Sequence, residues 1–377
     1  MRIGYDAKRL FNNYTGLGNY SRSLLLGMAC EYPENEYFLY SPRIQRNELT
    51  EAFLNPLGFH TYAPDVVFNA YWRSFALANQ LKKDNISLYH GLSHEIPFGI
   101  KKSGIKSIVT IHDLIFKIYP ETYSFADRLI YDKKFRYSCE NADAIISISE
   151  STKNDLIRFY GIDPAKIDII PPVCNPEYFT WKSEEYTRKV LETYSLPPEY
   201  ILYAGSVTER KNLISAIKAY SLLDKDYRIP FVIAGSGGSY KNNVIAMVKR
   251  LGLQEYIHMT GNIHHTEELQ ALYRHAKVFI FPSLYEGYGL PVMEALLCKT
   301  PVITSSVSSM PEAGGPHSYY IDPLKPEEIA RGIMLILGNS EYSKMMSEKG
   351  YEYACTFNSQ AISRKLMKLY KRVLNIS

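Results

Sequence analysis

Short apolar runs alternate with amphipathic or polar stretches along almost the whole chain. In the first half, runs rich in β-branched and aromatic residues predict six strands, at 3–6, 37–40, 88–90, 108–112, 144–148 and 167–170. The same plan starts again at Tyr200 and predicts six more, at 200–205, 231–234, 256–259, 278–281, 302–304 and 319–321. Because strands alternate with helical stretches, the chain is predicted to form two α/β units with parallel, doubly wound sheets.

The boundaries of these units follow from the same pattern. We expect the first unit at residues 1–172, where Pro171-Pro172 ends the run of strands, and the second at residues 199–358. Residues 173–198 are expected to be a linker. The last segment, 359–374, has apolar residues at helical spacing and predicts an amphipathic helix.

A glycine-rich loop between two glutamates follows the apolar run 277–283. Glu286 and Glu294 have seven residues between them, and Pro291 suits the first turn of a helix that continues to Leu297. The backbone amides of residues 287–290 would then face an anion at a helix N-terminus. Two carboxylates can hold hexose and ribose hydroxyls, so the loop predicts a nucleotide-sugar site. The alternative is that Glu294 only complements the helix dipole and that Glu286 is an ordinary loop charge.

A second motif lies after the strand that begins at Tyr200. Arg210 and Lys211 precede an amphipathic helix that runs to about Leu222. Cations at a helix entrance are unfavourable unless an anion is present, so this pair indicates a phosphate. The alternative is a pair of solvated loop charges.

These motifs together resemble a retaining glycosyltransferase of family GT4. The resemblance rests on Arg210-Lys211-Asn212, on Glu286 and Glu294 around Gly-Tyr-Gly-Leu-Pro, and on Tyr320-Ile321-Asp322-Pro323 before the helix at 326. The first half contributes Thr15-Gly16-Leu17-Gly18-Asn19-Tyr20, the segment 108–113 with His112, and the segment 146–152. The resemblance implies a GT-B fold, in which two Rossmann-like domains face a cleft and the helix at 359–374 crosses back to the first domain.

The resemblance also implies roles for single residues. Arg210 and Lys211 would stabilise the departing diphosphate, Glu286 would hold the hexose, Glu294 the ribose, and His112 the donor hexose, at its 6-hydroxyl. Gly16 and Gly18, before a helix expected at about 19–30, would bring amides to the phosphate or the acceptor. The predicted catalytic residues are therefore Arg210, Lys211, Glu286 and His112, and the predicted donor-binding residues are Gly16, Gly18, Gly287, Tyr288, Gly289, Leu290 and Glu294.

The expected reaction is hexosyl transfer from a nucleoside diphosphate sugar with retention at the anomeric carbon, by front-face attack, without a metal or a bound cofactor. By resemblance to bacterial mannosyltransferases of surface polysaccharides such as lipopolysaccharide, GDP-mannose is the favoured donor and a glycan or lipid-linked oligosaccharide the acceptor. Two alternatives stay open: another GT-B enzyme, such as a nucleotide-sugar epimerase, and a non-catalytic nucleotide-sugar-binding protein.

Composition excludes several other classes. The chain has 377 residues with 46% hydrophobic content, enough for two cores, and no apolar run of membrane-spanning length. Residues 1–172 carry 20 basic and 19 acidic residues and the rest 23 and 20, which gives no charge excess typical of a nucleic-acid partner. Five scattered cysteines and the lack of a signal-peptide pattern lead us to expect a cytoplasmic protein.

Three weaker signals were weighed. Gly235-Ser236-Gly237-Gly238 imitates a dinucleotide fingerprint but lacks its third glycine and its acidic residue, and Asp224-Lys225-Asp226 precedes a strand, the wrong edge for a metal site. Residues 127–137 fit either a basic helix resting on anionic lipid at the inner face of the membrane or an ordinary solvated helix.

Overall fold

The structure is a computed structural model that describes residues 1–54, 58–65 and 71–376. The chain divides into two compact units, one formed by Met1–Asn175 with Phe357–Ser377 and the other by Pro176–Thr356. Each unit contains one fully parallel sheet, as the alternation of strands and helices predicts.

The first unit contains a seven-stranded sheet in the order β3-β2-β1-β4-β5-β6-β7. Its strands are β1 Arg2–Asp6, β2 Glu36–Tyr40, β3 Phe59–Tyr62, β4 Leu88–Gly91, β5 Lys106–Ile111, β6 Ala144–Ser147 and β7 Ile167–Ile169. Its helices before the second unit are α1 Lys8–Asn12, α2 Gly16–Glu31, α3 Leu77–Lys83, α4 Ile100–Ser103, α5 Ile115–Ile118, α6 Phe125–Asn141 and α7 Glu150–Tyr160, with a π-helix at Trp72–Ala76. Short 3₁₀ turns lie at Glu51–Phe53, Pro120–Thr122 and Pro164–Lys166.

The second unit contains a six-stranded sheet in the order β10-β9-β8-β11-β12-β13. Its strands are β8 Tyr200–Ala204, β9 Phe231–Ala234, β10 Ile257–Gly261, β11 Ala276–Phe281, β12 Val302–Ser305 and β13 Tyr319–Ile321. Its helices are α8 Glu184–Thr193, α9 Leu213–Ser221, α10 Ser239–Arg250, α11 Thr266–His275, α12 Leu290–Leu297, α13 Met310–Gly314, α14 Pro326–Gly338 and α15 Ser340–Cys355. Its 3₁₀ turns are Pro176–Phe179, Glu209–Lys211, Lys225–Tyr227 and Gly315–His317.

The last helix, α16 Ser359–Leu374, belongs to the first unit. Its apolar face joins the core cluster that contains Leu24, Leu25 and Met28 of α2. The two helices approach so closely at Gly27 that an added Cβ would lie 2.1 Å from the hydroxyl oxygen of Ser359. Burial of this face holds the end of the chain in the first unit.

Two expectations differ from the structure. The strand β3 was not predicted, because Phe-His-Thr-Tyr at 59–62 is an edge strand that buries only Phe59 and has no apolar run. The expected linker 173–198 contains helix α8, whose Thr187, Val190 and Leu191 are buried in the second unit. These three residues share one helical face. Three apolar positions in a segment between two strand-rich regions are too few to predict a helix from the sequence.

The strand order places one topological switch point in each unit. In the first, the chain departs in opposite directions from β1 and β4, and in the second from β8 and β11. Ligands of open α/β sheets bind in the crevice outside the carboxyl ends of the strands that flank such a point. The loops that follow β8 and β11 contain the two motifs that the sequence singled out.

Candidate active site

The loop after β8 is held against the loop after β9 by close backbone packing. The amide of Gly205 donates to Ala234 O at 2.9 Å, and that of Val207 donates to Ser236 O at 2.8 Å. A Cβ on Gly235 would lie 1.9 Å from Gly205 O, and one on Gly237 would lie 2.0 Å from Val207 O. The glycines that imitate a dinucleotide fingerprint therefore serve the approach of two loops.

Arg210 connects the loops after β8 and β11. Its guanidinium is 2.8 Å from a carboxylate oxygen of Glu286, and the two side chains are 18% and 14% exposed. Its guanidinium also donates to Tyr285 O, while its own carbonyl accepts the amide of Leu284 at 2.8 Å. The residues predicted for the diphosphate and for the hexose, Arg210 and Glu286, are thus in direct contact, and a bound anion would compete with Glu286 for Arg210.

Lys211 lies beside this pair in a largely apolar setting. Its ammonium is 5.1 Å from the centre of the Phe281 ring, and a Cβ on Gly205 would lie 3.0 Å from it. Burial lowers the pKa of Lys211; the nearby Glu286 opposes this effect and Arg210 adds to it. A buried cation near another cation is stabilised by an anion, as we expected from its position at the strand exit.

The loop 286–289 is shaped by two serines of the segment between β12 and α13. Ser309 Oγ donates to the carbonyls of Glu286 at 2.9 Å and Tyr288 at 2.8 Å, and Ser308 Oγ accepts the amide of Glu286 at 3.2 Å. Gly289 has a φ of +116°, and an added Cβ would lie 2.5 Å from Met310 Cε. Glycine is therefore required at 289 by backbone conformation and by packing against α13.

Helix α12 begins at Leu290, with Pro291 in its first turn, so the predicted helix N-terminus lies directly after the glycine loop. Ser283 Oγ donates to Glu286 Oε1 at 3.1 Å, which fixes the carboxylate at the mouth of this loop. The structure therefore brings the predicted residues 286–290 together with Arg210 and Lys211.

Glu294 lies inside α12 and is held by two tyrosines. Tyr273 Oη donates to Glu294 Oε2 at 3.2 Å, and Tyr178 also donates to this carboxylate. Burial raises the pKa of Glu294 to about 7, although the tyrosines and the charge of Lys211 act in the opposite direction. A carboxylate that titrates near neutrality can both accept and donate hydrogen bonds, which suits contact with hydroxyl groups.

The other predicted residues lie in the first unit. His112 follows β5 and is 6% exposed, and its Nε2 donates to Leu92 O at 2.8 Å. Burial lowers the pKa of His112 to about 4, partly opposed by this hydrogen bond. The ring is therefore neutral at physiological pH, with the hydrogen on Nε2 and an acceptor lone pair on Nδ1.

Gly16 and Gly18 begin helix α2, which starts three residues earlier than expected and follows the short helix α1. A Cβ on Gly18 would lie 1.8 Å from Asn13 O, and the amide of Gly18 donates to Asn13 Oδ1 at 3.0 Å. Gly18 thus has a local structural role. Nothing lies within 4 Å of a Cβ position on Gly16, so the backbone at Gly16, unlike that at Gly18, borders open space.

A buried ion network at the first switch point was not predicted. Arg73, from the π-helix, donates to Asp6 at 2.6 Å and to Glu95 at 3.1 Å, and Lys134 is 2.9 Å from Glu95. Burial opposes ionisation of Glu95, but Arg73 and Lys134 outweigh it and hold its pKa below the usual range. Asp6 ends a predicted strand, but no local pattern connects it with a residue 67 positions away.

Neither unit offers an evident cation site: within 1–54, 58–65 and 71–376, no group of three His, Cys, Asp or Glu residues is placed to hold a metal ion. Asp224 precedes and Asp226 lies within a 3₁₀ turn before β9, at the edge of the sheet away from the motifs. In the same described ranges no helix is long and apolar enough to cross a membrane.

Known proteins share this architecture. The family model of Glycosyl transferases group 1 matches residues 190–353, and that of Glycosyltransferase Family 4 matches residues 34–178. The O-antigen chain mannosyltransferase B of Escherichia coli is 28% identical over 389 residues, covering 98% of this chain and 100% of that protein. The serotype-specific mannosyltransferase WbdA of Escherichia coli is 28% identical over 307 residues, and the alignment covers 78% of this chain and 37% of WbdA.

Among solved structures, a glycosyltransferase from Rickettsia africae ESF-5 superimposes with a TM-score of 0.77 at 18% identity, covering 100% of this chain and 99% of that one. Its likeness concerns the fold, and it agrees with the two parallel sheets described above. Each family model matches almost entirely within one unit, and of the strands described above β1 alone lies outside the two matches. On these grounds the chain belongs to the GT4-type group 1 glycosyltransferases and is a hexosyltransferase with the GT-B fold.

Proposed function

We propose that this enzyme is a retaining mannosyltransferase that uses GDP-mannose and extends a glycan or lipid-linked oligosaccharide in surface polysaccharide synthesis. The observation that carries the proposal is the convergence of Arg210, Lys211, Glu286 and Glu294 at the switch point of the second sheet. Mannose and a surface polysaccharide are supported by 28% identity, over 98% of the chain, to an O-antigen chain mannosyltransferase.

The cations act on the leaving group. When donor binds, the diphosphate replaces the Glu286 carboxylate as the partner of Arg210, and it provides the anion that the buried ammonium of Lys211 lacks. Negative charge on the diphosphate grows as the anomeric bond breaks, so both contacts strengthen in the transition state. The released Glu286 then accepts hydrogen bonds from the hexose, with Ser283 holding its orientation.

The bond changes follow a front-face path. The anomeric carbon loses its bond to the diphosphate oxygen and gains one to the acceptor oxygen on the same face, and the acceptor proton passes to the leaving phosphate. With donor bound, Glu286 is engaged by Ser283 and by the hexose hydroxyls, and Glu294 is assigned to the ribose, so neither carboxylate serves as a nucleophile here. The ring of His112 is neutral, as the predicted contact with a hexose hydroxyl requires, and the backbone at Gly16 borders open space.

The donor is identified by its effect on stability. Thermal-shift titrations with GDP-, UDP- and ADP-sugars should show the largest stabilisation with GDP-mannose, by about 2.7 kcal/mol at a concentration of about 100 times Kd. A larger effect from a UDP-sugar would refute the choice of donor. Conversion of the nucleotide sugar without acceptor would indicate an epimerase, and tight binding without transfer to any glycan would indicate a non-catalytic binding protein.

Independence from metal is part of the proposal, since Arg210, Lys211 and the N-terminus of α12 take the place of a divalent ion. Turnover should be unchanged after dialysis against EDTA. Loss of turnover that Mn²⁺ or Mg²⁺ restores would contradict the assignment of the leaving-group site.

A lipid-linked acceptor also implies contact with a membrane surface. Helix α6, which contains the predicted segment 127–137, exposes Phe125, Leu129 and Ile130. These apolar side chains favour lipid contact over an ordinary solvated helix, the two alternatives that the sequence leaves open for this segment.

A further inference from the structure

The C-terminal helix α16 has two faces of opposite character. Its inner face, with Ile362, Leu366 and Tyr370, is buried in the first unit, and Tyr370 Oη lies 2.6 Å from Nδ1 of the buried His90. Its outer face consists of exposed basic side chains, which are Arg364, Lys365, Lys368, Lys371 and Arg372. The helix contains no acidic residue.

This outer face changes the charge balance of the whole unit. Residues 1–175 are nearly neutral, but with the C-terminal segment the first unit has 25 basic and 19 acidic residues, five of the basic ones on α16. The second unit has 18 basic and 20 acidic residues. The positive charge of the protein is therefore concentrated on one helix face, which creates a local field that attracts anions.

The packing around α16 does little to neutralise this face. Arg372 pairs with Asp168, a residue of strand β7. Within the described part of the chain, no ion pair involves Arg364, Lys365 or Lys368. The neighbouring helix α2 carries one acidic residue, Glu31, at its end.

A shallow groove of about 450 Å³ runs along the same face. Tyr32, Met367 and Ile376 give it an apolar floor, and the side chains of Arg364, Lys368 and Lys371 stand beside that floor. Ile376 is 45% exposed. Surfaces that bind lipid headgroups typically combine exposed apolar groups with long cationic side chains. The methylene groups of Lys and Arg pack on the apolar surface, and their charged ends reach the lipid phosphates.

Helix α6 provides a contrast within the same unit. It carries Asp127, Asp132 and Glu140 among its basic residues. Lys134 pairs with Glu95 at 2.9 Å, and Asp132 pairs with Lys117 at 2.5 Å. Four basic and three acidic residues lie on α6, so its net charge is small, and it attracts an anionic membrane less strongly than α16 does.

We propose that the outer face of α16 docks the enzyme on anionic lipid headgroups of a membrane. Each Lys or Arg near an anionic surface contributes about 1 kcal/mol, and the attraction extends about one Debye length, roughly 8 Å at physiological salt. Because the apolar face of α16 is buried in the first unit, the helix does not insert and the contact is reversible and salt-sensitive. The inference rests on the membrane contact that a lipid-linked acceptor implies and names the surface that makes it, but it does not depend on the identity of the donor.

Vesicle sedimentation of the full chain tests the proposal. The wild type should bind phosphatidylcholine vesicles only when they contain phosphatidylglycerol, and rising salt should release it. Lys365→Gln/Lys368→Gln should weaken this partition about 30-fold, which corresponds to loss of about 2 kcal/mol for two cations. Glutamine is a good helix former, so the melting temperature should stay unchanged.

The matched control is Lys249→Gln/Arg250→Gln, two exposed basic residues at the end of α10 in the second unit. This variant removes the same net charge. If the position of the charges decides binding, and not their total, it should change the partition by less than about twofold. Equal losses in both double variants would overturn the proposal, as would a wild type that ignores phosphatidylglycerol at low salt.

Two further arms exclude the rivals. Leu129→Ser/Ile130→Ser changes the apolar surface of α6. If this variant no longer binds vesicles while the α16 variant still does, α6 and not α16 makes the membrane contact. A duplex DNA fragment that binds more tightly than vesicles of equal phosphate concentration would assign the face to nucleic acid instead. Donor titration by calorimetry is unaffected by all of these outcomes, so a failure here is distinguishable from a failure of the proposed function.

Discussion

The two sheets share the strand order around their switch points, yet the two crevices are filled differently. Outside β1 and β4 of the first unit, Asp6, Arg73, Glu95 and Lys134 satisfy one another in a buried network. Outside β8 and β11 of the second unit, Lys211 and Glu294 have pKa values shifted by burial toward their neutral forms. The first set of charges is complete without a ligand, and the second is not.

This difference teaches that strand topology alone does not identify a ligand site. A switch point creates a crevice, and the side chains around it decide whether the crevice is closed or receptive. Arg73 is 9% exposed and enters from a π-helix, and its guanidinium pairs with Asp6 and Glu95 outside the ends of β1 and β4. At Lys211, burial disfavours the charged form and lowers the pKa. A pKa shifted in this way is typical of a functional group.

The largest expected effect is on stability in the first unit. Arg73→Ala leaves Asp6, which is 1% exposed, without its partner, and should lower the free energy of unfolding by about 3–5 kcal/mol. Lys189→Ala breaks an exposed ion pair with Glu185 and should cost less than about 1 kcal/mol. Urea unfolding measures both. An equally large loss in Arg210→Ala would show that the two switch points are not different in kind.

The next effect is on turnover in the second unit. Lys211→Ala and Arg210→Ala should each lower kcat by about 10²-fold or more, because the native side chains stabilise the negative charge that develops on the diphosphate. Lys218→Ala, an exposed residue of α9, is the control and should retain wild-type rates. Steady-state kinetics with a raised KM and an unchanged kcat would contradict the assigned role.

A pH effect of intermediate size concerns Glu294. Its pKa is raised from an ordinary 4.5 to about 7 in the folded protein, so the folded state holds a proton that the unfolded state releases. Ionisation of Glu294 therefore costs stability progressively as pH rises through this window, by up to about 3 kcal/mol. Glu294→Gln removes this cost, and its stability relative to wild type should rise between about pH 5 and about pH 8.

Urea midpoints of both proteins at the two pH values give the comparison. The buried His90, His94 and His112, whose pKa values are lowered, contribute equally to both proteins and cancel. A constant difference between variant and wild type would place Glu294 in water, against the burial described here.

The smallest expected effect separates the two glutamates. Glu294→Ala should weaken binding of the free nucleoside diphosphate by roughly 1.5–3 kcal/mol, because it loses a charge-assisted hydrogen bond to the ribose. Glu286→Ala should leave nucleotide affinity nearly intact and impair binding of the sugar donor. Calorimetric titration of both variants with nucleotide and with nucleotide sugar decides it, and equal losses of nucleotide affinity would refute the division of roles.

Much of the fold was predictable because each buried parallel strand is a short apolar run in the sequence. Helix α16, for example, has the bounds expected from its periodicity. The strand β3 and the helix α8 were missed because each buries few side chains, and their place depends on neighbours distant in sequence.

The convergence of residues after β8 and β11 was predictable from the sequence, and the residues that support them were not. The residues after β8 and β11 stand beside strand ends, which the local pattern reveals. Ser308 and Ser309, which hold the loop at 286–289, and Tyr273, which holds Glu294, come from other segments. No spacing rule connects them, because their contacts form only when the sheet is assembled.

The sequence by itself determined two parallel α/β units, the family resemblance and the cluster of cations and carboxylates in the second half, because these depend on local periodicity and on residues near strand ends. Tertiary structure alone decided which charges neutralise one another. Arg73 meets Asp6 across 67 positions, Arg210 meets Glu286, and α16 adds five basic residues to a unit whose first 175 residues are nearly neutral. Electrostatic energy depends on distance in space and on burial, and neither can be read from the order of residues.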